Sequence, residues 1–247
     1  MVLELRNPHS VLAALSCRPQ DVIELRLHGT KPTGAWKEVT YAAMEQGIPI
    51  RREVPRRKSR RSQHAKGTER SGAAQATVKP RNESTLHTLF ADAGSGTSPA
   101  GLWIALDCLQ DPHNVGAIFR TAAFFDVQGI VVTHDRSAPL NATVYDIASG
   151  GMEHVAFSVQ SNLARTMVHA KHSGFWILGT SEHAEQDVSD IDRDRPWLLV
   201  LGNEEKGLRR LTRENCDVVC KLSSRGAVTS LNVSVAAGIL IASLTGR

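Results

Sequence analysis

Along the second half of the chain, short apolar runs alternate with segments of helical period. Runs at 102–106 (LWIAL), 129–133 (GIVVT), 175–179 (FWILG), 197–201 (WLLVL) and 218–222 (VVCKL) have the length and composition of strands buried on both faces. Between and after them, 114–125, 143–150, 162–172 and 230–244 carry apolar residues at helical spacing. This alternation predicts an α/β fold, a mostly parallel sheet with helices on both faces. The first eighty residues predict a smaller α/β unit. It has helices near 11–15 and 41–46, an alternating strand at 21–28 (DVIELRLH), and strands at 48–50 and 73–78. No internal repeat is present.

Composition changes this picture in one place. The 247 residues are 41% hydrophobic and 22% charged, as in an ordinary globular protein, with a formal net charge of +4. The excess is concentrated: nine Lys or Arg and two acids lie between Arg51 and Arg70. Such a run fits either a solvated loop or a polyanion partner, since each neutralised phosphate releases condensed counterions. We read 51–72 as a basic loop. The predicted division is a unit over 1–80, a linker over 81–101 whose second half is rich in Gly, Ser and Pro, and a unit over 102–247.

Cys17, Cys108, Cys216 and Cys220 show no CxxC pair and no zinc-type spacing, so they read as buried free thiols of a reducing compartment, with no metal site. Residues 1–10 lack the apolar core of a signal sequence. The apolar stretch 231–244 is too short to span a bilayer. A cytoplasmic location is expected.

Three loop segments carry unusual residues for their positions. Asn114-Val-Gly116 opens a helix that continues to Arg120-Thr-Ala; a capped helix with a surface arginine is the plainer reading. Leu201-Gly202-Asn203-Glu204 with Gly207 follows an apolar strand, and the carboxyl ends of parallel strands are where open sheets bind ligands. It is no phosphate loop, because Leu208 and Arg209 stand where Lys and Ser or Thr are needed, and the chain holds no GxGxxG. Ser230-Leu231-Asn232-Val-Ser234 opens the final helix with polar side chains that need partners; capping by Ser230 is the plainer reading.

Together these segments resemble the three signature motifs of the SpoU/TrmH RNA ribose 2′-O-methyltransferases: N-x-G-x-x-x-R-T-A, L-G-x-E-x-x-G and S-L-N-V-S. The likeness covers 102–244 and extends weakly to HSVLAAL (9–15) and ATVKP (76–80). It implies a SPOUT-type α/β knot, with a C-terminal trefoil, and a homodimer formed through the knotted domain. It also implies a small N-terminal domain like ribosomal protein L30e that binds substrate. The cofactor implied is S-adenosylmethionine, lined by Gly179, Thr180, Leu201, Gly202, Leu222 and Leu231. The catalytic set implied is Asn114, Arg120, Glu204, Ser230 and Asn232. The third motif departs from the family's common Ile-Pro-Met, with Leu222-Ser223-Ser224 in its place. The substrate implied is ribosomal RNA, a guanosine of the large subunit. A tRNA ribose methyltransferase of the same fold and a catalytically silent RNA-binding assembly factor are the alternatives. No membrane partner is expected.

Overall fold

The computed structural model describes residues 1–28, 32–53, 74–91 and 101–246. They form two compact units, Met1–Arg81 and Asn82–Arg247.

The first unit runs β1 (Leu3–Leu5), α1 (Pro8–Cys17), β2 (Val22–His28), α2 (Trp36–Glu45), β3 (Ile50–Glu53) and β4 (Ala74–Val78). Its sheet order is β1-β4-β2-β3, with β4 antiparallel to β1 and β2, and β3 parallel to β2. Asn7 caps α1 by accepting from the His9 amide, with Pro8 in the first turn where no amide partner is missed. Strand β1 was not anticipated, since three residues carry little period. The basic segment begins later than expected: Arg51 and Arg52 are ladder residues of β3, and Arg51 pairs with Glu24 on β2. The rest of that segment lies outside the described residues.

The second unit begins with α3 (Leu86–Leu89). It continues β5 (Leu102–Leu106), α4 (Pro112–Phe124), β6 (Gly129–Thr133), α5 (Ala142–Ala148), α6 (Gly151–His154), β7 (Ala156–Gln160), α7 (Leu163–His172) and β8 (Trp176–Thr180). It closes with β9 (Gln186–Asp187), β10 (Trp197–Leu201), α8 (Arg210–Glu214), β11 (Val218–Lys221) and α9 (Val233–Leu244). All six pairings of its seven-stranded sheet, β7-β6-β5-β10-β8-β11-β9, are parallel. Every residue of β5, β6 and β10 is buried, which is why these strands read as unbroken apolar runs. Trp103 and Ala105 point into a cluster with Leu163, Met167 and Ala170 of α7, so Ile104 and Leu106 face the other side of the sheet. There α4 packs against α5, α6 and α9.

Residues 82–91, expected as the start of a linker, cluster instead with the second unit. Leu89 and Phe90 enter its core, and the Leu89 carbonyl accepts from the Trp103 indole at 2.8 Å. Ser84 donates its amide to the Phe157 carbonyl, and Glu83 accepts from the Val159 amide, so this segment covers the β7 edge. The expected linker residues 92–100 lie outside the described residues. Among the described residues no helix is long and apolar enough to cross a membrane.

Candidate functional site

The carboxyl ends of β5, β10, β8 and β11 bring the three motif loops to one end of the sheet. Each loop is shaped by local chemistry. After β10 the chain turns through Asn203–Gly207, whose two residues exchange backbone hydrogen bonds, with Gly207 at φ +63°. Asn203 organises the turn: its Oδ1 accepts from the amides of Glu205 and Lys206. Its Nδ2 donates to the Cys108 carbonyl beyond β5 and to Glu204 Oε2. Gly202 is required by close approach, since a Cβ there would lie 2.4 Å from the Gly207 carbonyl carbon and 2.5 Å from the Leu208 amide.

Asn114 joins the loops. Its Nδ2 donates to Glu204 Oε1 at 3.1 Å, and its Oδ1 accepts from Asn232 Nδ2 at 3.0 Å. With both amide faces engaged and only 7% exposure, Asn114 has a fixed orientation. It is not the helix cap expected from sequence. Asp111 caps α4 by accepting from the His113 amide, Pro112 follows, and Asn114 in the first turn is free to reach across. The last helix also starts later than expected. Asn232, not Ser230, is its cap, accepting from the Ser234 amide at 2.9 Å and hydroxyl at 2.6 Å. One side chain thus caps α9 and holds Asn114.

The other expected residues fall into two groups. Thr180, Gly179 and Leu201 sit at the ends of the adjacent strands β8 and β10, and Thr180 Oγ1 donates to the Val200 carbonyl. A Cβ on Gly179 would meet Cys216 Sγ at 2.7 Å. Leu222 is half-buried, Leu231 is 53% exposed, and Ser230 is exposed in the loop between them. Arg120 is exposed on α4, about 9 Å along the axis from Asn114 at 1.5 Å per residue. No hydrogen bond joins Arg120, Ser230, Leu222 or Leu231 to the Asn114 network among the described residues.

Sequence reasoning missed two supports. The first is Asp107, fully buried at the end of β5. It accepts from the Thr212 hydroxyl at 2.8 Å and pairs with the Arg209 guanidinium at 2.6 Å, which ties the loop after β10 to the sheet. Burial opposes the Arg209 charge, but the Asp107 carboxylate outweighs it and moves the guanidinium further above its ordinary range. The second is Asp187, which accepts from the Ser223 amide at 3.0 Å and from the Ser189 amide and hydroxyl. The Ser223 and Ser189 hydrogen bonds hold its carboxyl well below the usual carboxylate range. Asp187 therefore anchors the loop after β11 where it leaves the sheet. An acid just after an apolar strand is a signal for the first; nothing local signals the second.

Among the described residues no three His, Cys, Asp or Glu side chains are grouped to hold a metal. The cysteines differ from expectation in one case: Cys17 is exposed, while Cys108 and Cys220 are buried and Cys216 is half-buried. Burial pushes the Cys216 thiol up to about 11 and the Cys220 thiol up to about 12, so neither is a ready nucleophile.

The chemistry of the third loop suits an adenosine-like group. Among the described residues, the amides of 227–231 form no backbone or side-chain hydrogen bond, and the apolar side chains of Val228 and Leu231 stand exposed beside them. Free backbone donors next to exposed aliphatic surface recognise a heterocycle by its edge and its face.

The profile of the SpoU rRNA Methylase family matches residues 101–242. The chain is 41% identical over 174 residues to the 23S rRNA (guanosine-2′-O-)-methyltransferase RlmB of Nitrosomonas europaea, covering 70% of this chain and 65% of that protein. It therefore spans just under two thirds of that relative's length. It is 35% identical to the protein of the same name from Neisseria meningitidis, over 94% of this chain and 90% of that one. Among solved structures, the SpoU methyltransferase AviRb of Streptomyces viridochromogenes in complex with AdoMet superposes with a TM-score of 0.78. At 19% identity, over 99% of this chain and 90% of that one, the likeness is one of fold.

Proposed function

The chain belongs to the SpoU rRNA Methylase family, and from that premise we propose that it methylates the ribose 2′-hydroxyl of a guanosine in large-subunit ribosomal RNA. The observation that carries this reading is the chain of hydrogen bonds Glu204–Asn114–Asn232, which draws one residue from each motif loop into a single rigid array.

The cofactor of the reading is S-adenosylmethionine, which supplies an electrophilic methyl on a sulfonium. Gly179, Thr180, Leu201, Gly202, Leu222 and Leu231 would hold it, with free loop amides and aliphatic surface for the adenosine. A cofactor without phosphate needs no phosphate loop, and none is present. The chain's own work is positioning and proton handling. Asn114 and Asn232 orient the ribose or Arg120, while Glu204 fixes the loop that carries Gly202. Arg120 contacts the phosphate beside the target ribose and polarises the hydroxyl; a guanidinium holds its own protons too firmly to act as a base, so the proton leaves with help from the phosphate. Ser230 completes the set.

The first unit is proposed to be the L30e-like substrate-binding domain. The knot and a homodimer belong to the same reading. Val235 and Ile239 are exposed along α9, with Leu231 exposed in the loop just before it, and the neighbouring α4 ends in an exposed Phe124; such an apolar surface supports a partner copy. A cytoplasmic setting follows from a ribosomal substrate. The test is transfer of labelled methyl to 23S rRNA transcripts, followed by transcripts lacking single candidate 2′-hydroxyls. Loss of label with one substituted guanosine identifies the target. Failure to bind S-adenosylmethionine by titration calorimetry refutes the enzyme and favours a silent RNA-binding factor.

A further inference from the structure

At the same end of the sheet, a cleft of about 460 Å³ opens beside the motif loops. That lies within the range of about 300–1,000 Å³ usual for ligand sites. Three arginines converge on it from two segments: Arg136 from the loop after β6, and Arg209 and Arg210 from the start of α8. Ser161 and Asn162, at the amino end of α7, supply neutral donors, and Leu211, 55% exposed, presents aliphatic surface between the charges.

The cleft and the Asn114 array hang on adjacent residues. Arg209 grips Asp107, and the next residue, Cys108, accepts from Asn203 beside Glu204. The arginines are unequally committed. Arg209 is spent on the buried Asp107, and Arg210 pairs with Glu214 one turn on, where both are exposed and the pair is weak. Arg136 makes no ion pair among the described residues, although its neighbour Asp135 contributes to the field at Arg209. It is also held in the left-handed region at φ +55°, which disfavours a long side chain. The fold therefore keeps a free cation at the mouth of a cavity at a local backbone cost.

Resting on the reading of this chain as an RNA ribose methyltransferase, we infer that the cleft is a second RNA subsite. It takes the phosphodiester and sugar of a nucleotide flanking the methylated one, with Arg136 and Arg210 on the phosphate and Leu211 against the nucleoside. A phosphodiester fits better than a small free anion, which would leave Leu211 uncovered and needs no open cleft. The strand it serves leaves the Asn114 array along the carboxyl ends of β5, β6 and β7, where these residues stand.

The test uses the full-length protein. Arg136→Asn keeps a residue that tolerates the left-handed region, and Arg210→Gln keeps the start of α8; Arg209 is left intact because Asp107 depends on it. Binding of 23S rRNA transcript is measured across a salt series, and S-adenosylmethionine binding by calorimetry. Each substitution is expected to lower the salt slope by about 0.7, a loss of about fivefold in RNA affinity at 0.1 M salt, the increment for one single-strand phosphate contact. The two substitutions together give about twice the slope change, and cofactor affinity stays unchanged. Unaltered RNA affinity and slope in the double variant, with the parent still methylating RNA, overturns the subsite and leaves the proposed function standing. Loss of cofactor affinity instead of RNA affinity also overturns it. A parent that neither binds nor methylates RNA overturns both.

Discussion

Removing Arg209 should expose how much the loop after β10 depends on one buried carboxylate. In Arg209→Met, Asp107 keeps the Thr212 hydroxyl but loses its countercharge while remaining fully buried. Breaking a buried pair from one side costs about 3–5 kcal/mol. One feature lowers the figure here. The Arg209 side chain is 39% exposed, so water reaches the vacated side and lowers the cost. The expected loss is therefore about 2–4 kcal/mol at pH 7.

Urea unfolding, followed by the fluorescence of Trp103, Trp176 and Trp197, measures it as a midpoint lowered by about 1 M at pH 7 for a slope of about 2–3 kcal/mol/M. Adding Asp107→Asn to the variant should recover part of the loss, because no buried charge is then left without its partner. A loss at pH 7 below about 1 kcal/mol, or no recovery on adding Asp107→Asn, refutes the dependence of the loop on this pair.

Three further outcomes are expected. Arg120→Ala should reduce methyl transfer at least about 100-fold, as loss of a group acting on the reacting proton does, with cofactor affinity within a factor of two of the parent; retained turnover removes Arg120 from the chemistry. Gly202→Ala drives a methyl against the Gly207 backbone at 2.4 Å and should weaken cofactor binding at least about tenfold and lower stability by about 1–3 kcal/mol, whereas unchanged calorimetry shows that the turn has room. With a thiol reagent at pH 8, Cys17 should react quickly and the buried Cys108 and Cys220 and half-buried Cys216 only on unfolding, because desolvation raises all three of these thiols; fast labelling of more than one site contradicts the structure.

What the sequence disclosed depended on how local the governing interaction is. Strands β5, β6 and β10 were readable to the residue, since burial on both faces forces an unbroken apolar run. Strand β7 was not, because its ends are half-exposed and Ser158 and Gln160 interrupt the run. Two-residue β9 and five-residue α8 are too short to show a period. The motif loops placed Asn114, Glu204 and Asn232 as a set, and the structure links these three by hydrogen bonds. It shows no comparable link for Arg120 or Ser230, whose roles depend on substrate. Local rules misassigned both caps. Asp111-Pro112 was the better signal for α4, and the task of Asn232 as a cap was hidden by its more visible neighbour Ser230. The Asp107–Arg209 pair joins residues 102 apart in sequence, beyond the reach of any local pattern.

The order of the large sheet has a bearing on how the molecule is made. Strand β10 lies between β5 and β8, yet it leaves the ribosome after both. Its neighbours cannot meet while they wait, so the emerging polypeptide holds a gap with two sticky edges until 197–201 arrives to bridge it. Assembly of this unit must then be a late, slow event with long loops to close, and a nascent chain paused before that point presents unsatisfied strand edges to chaperones and to its neighbours on the same messenger.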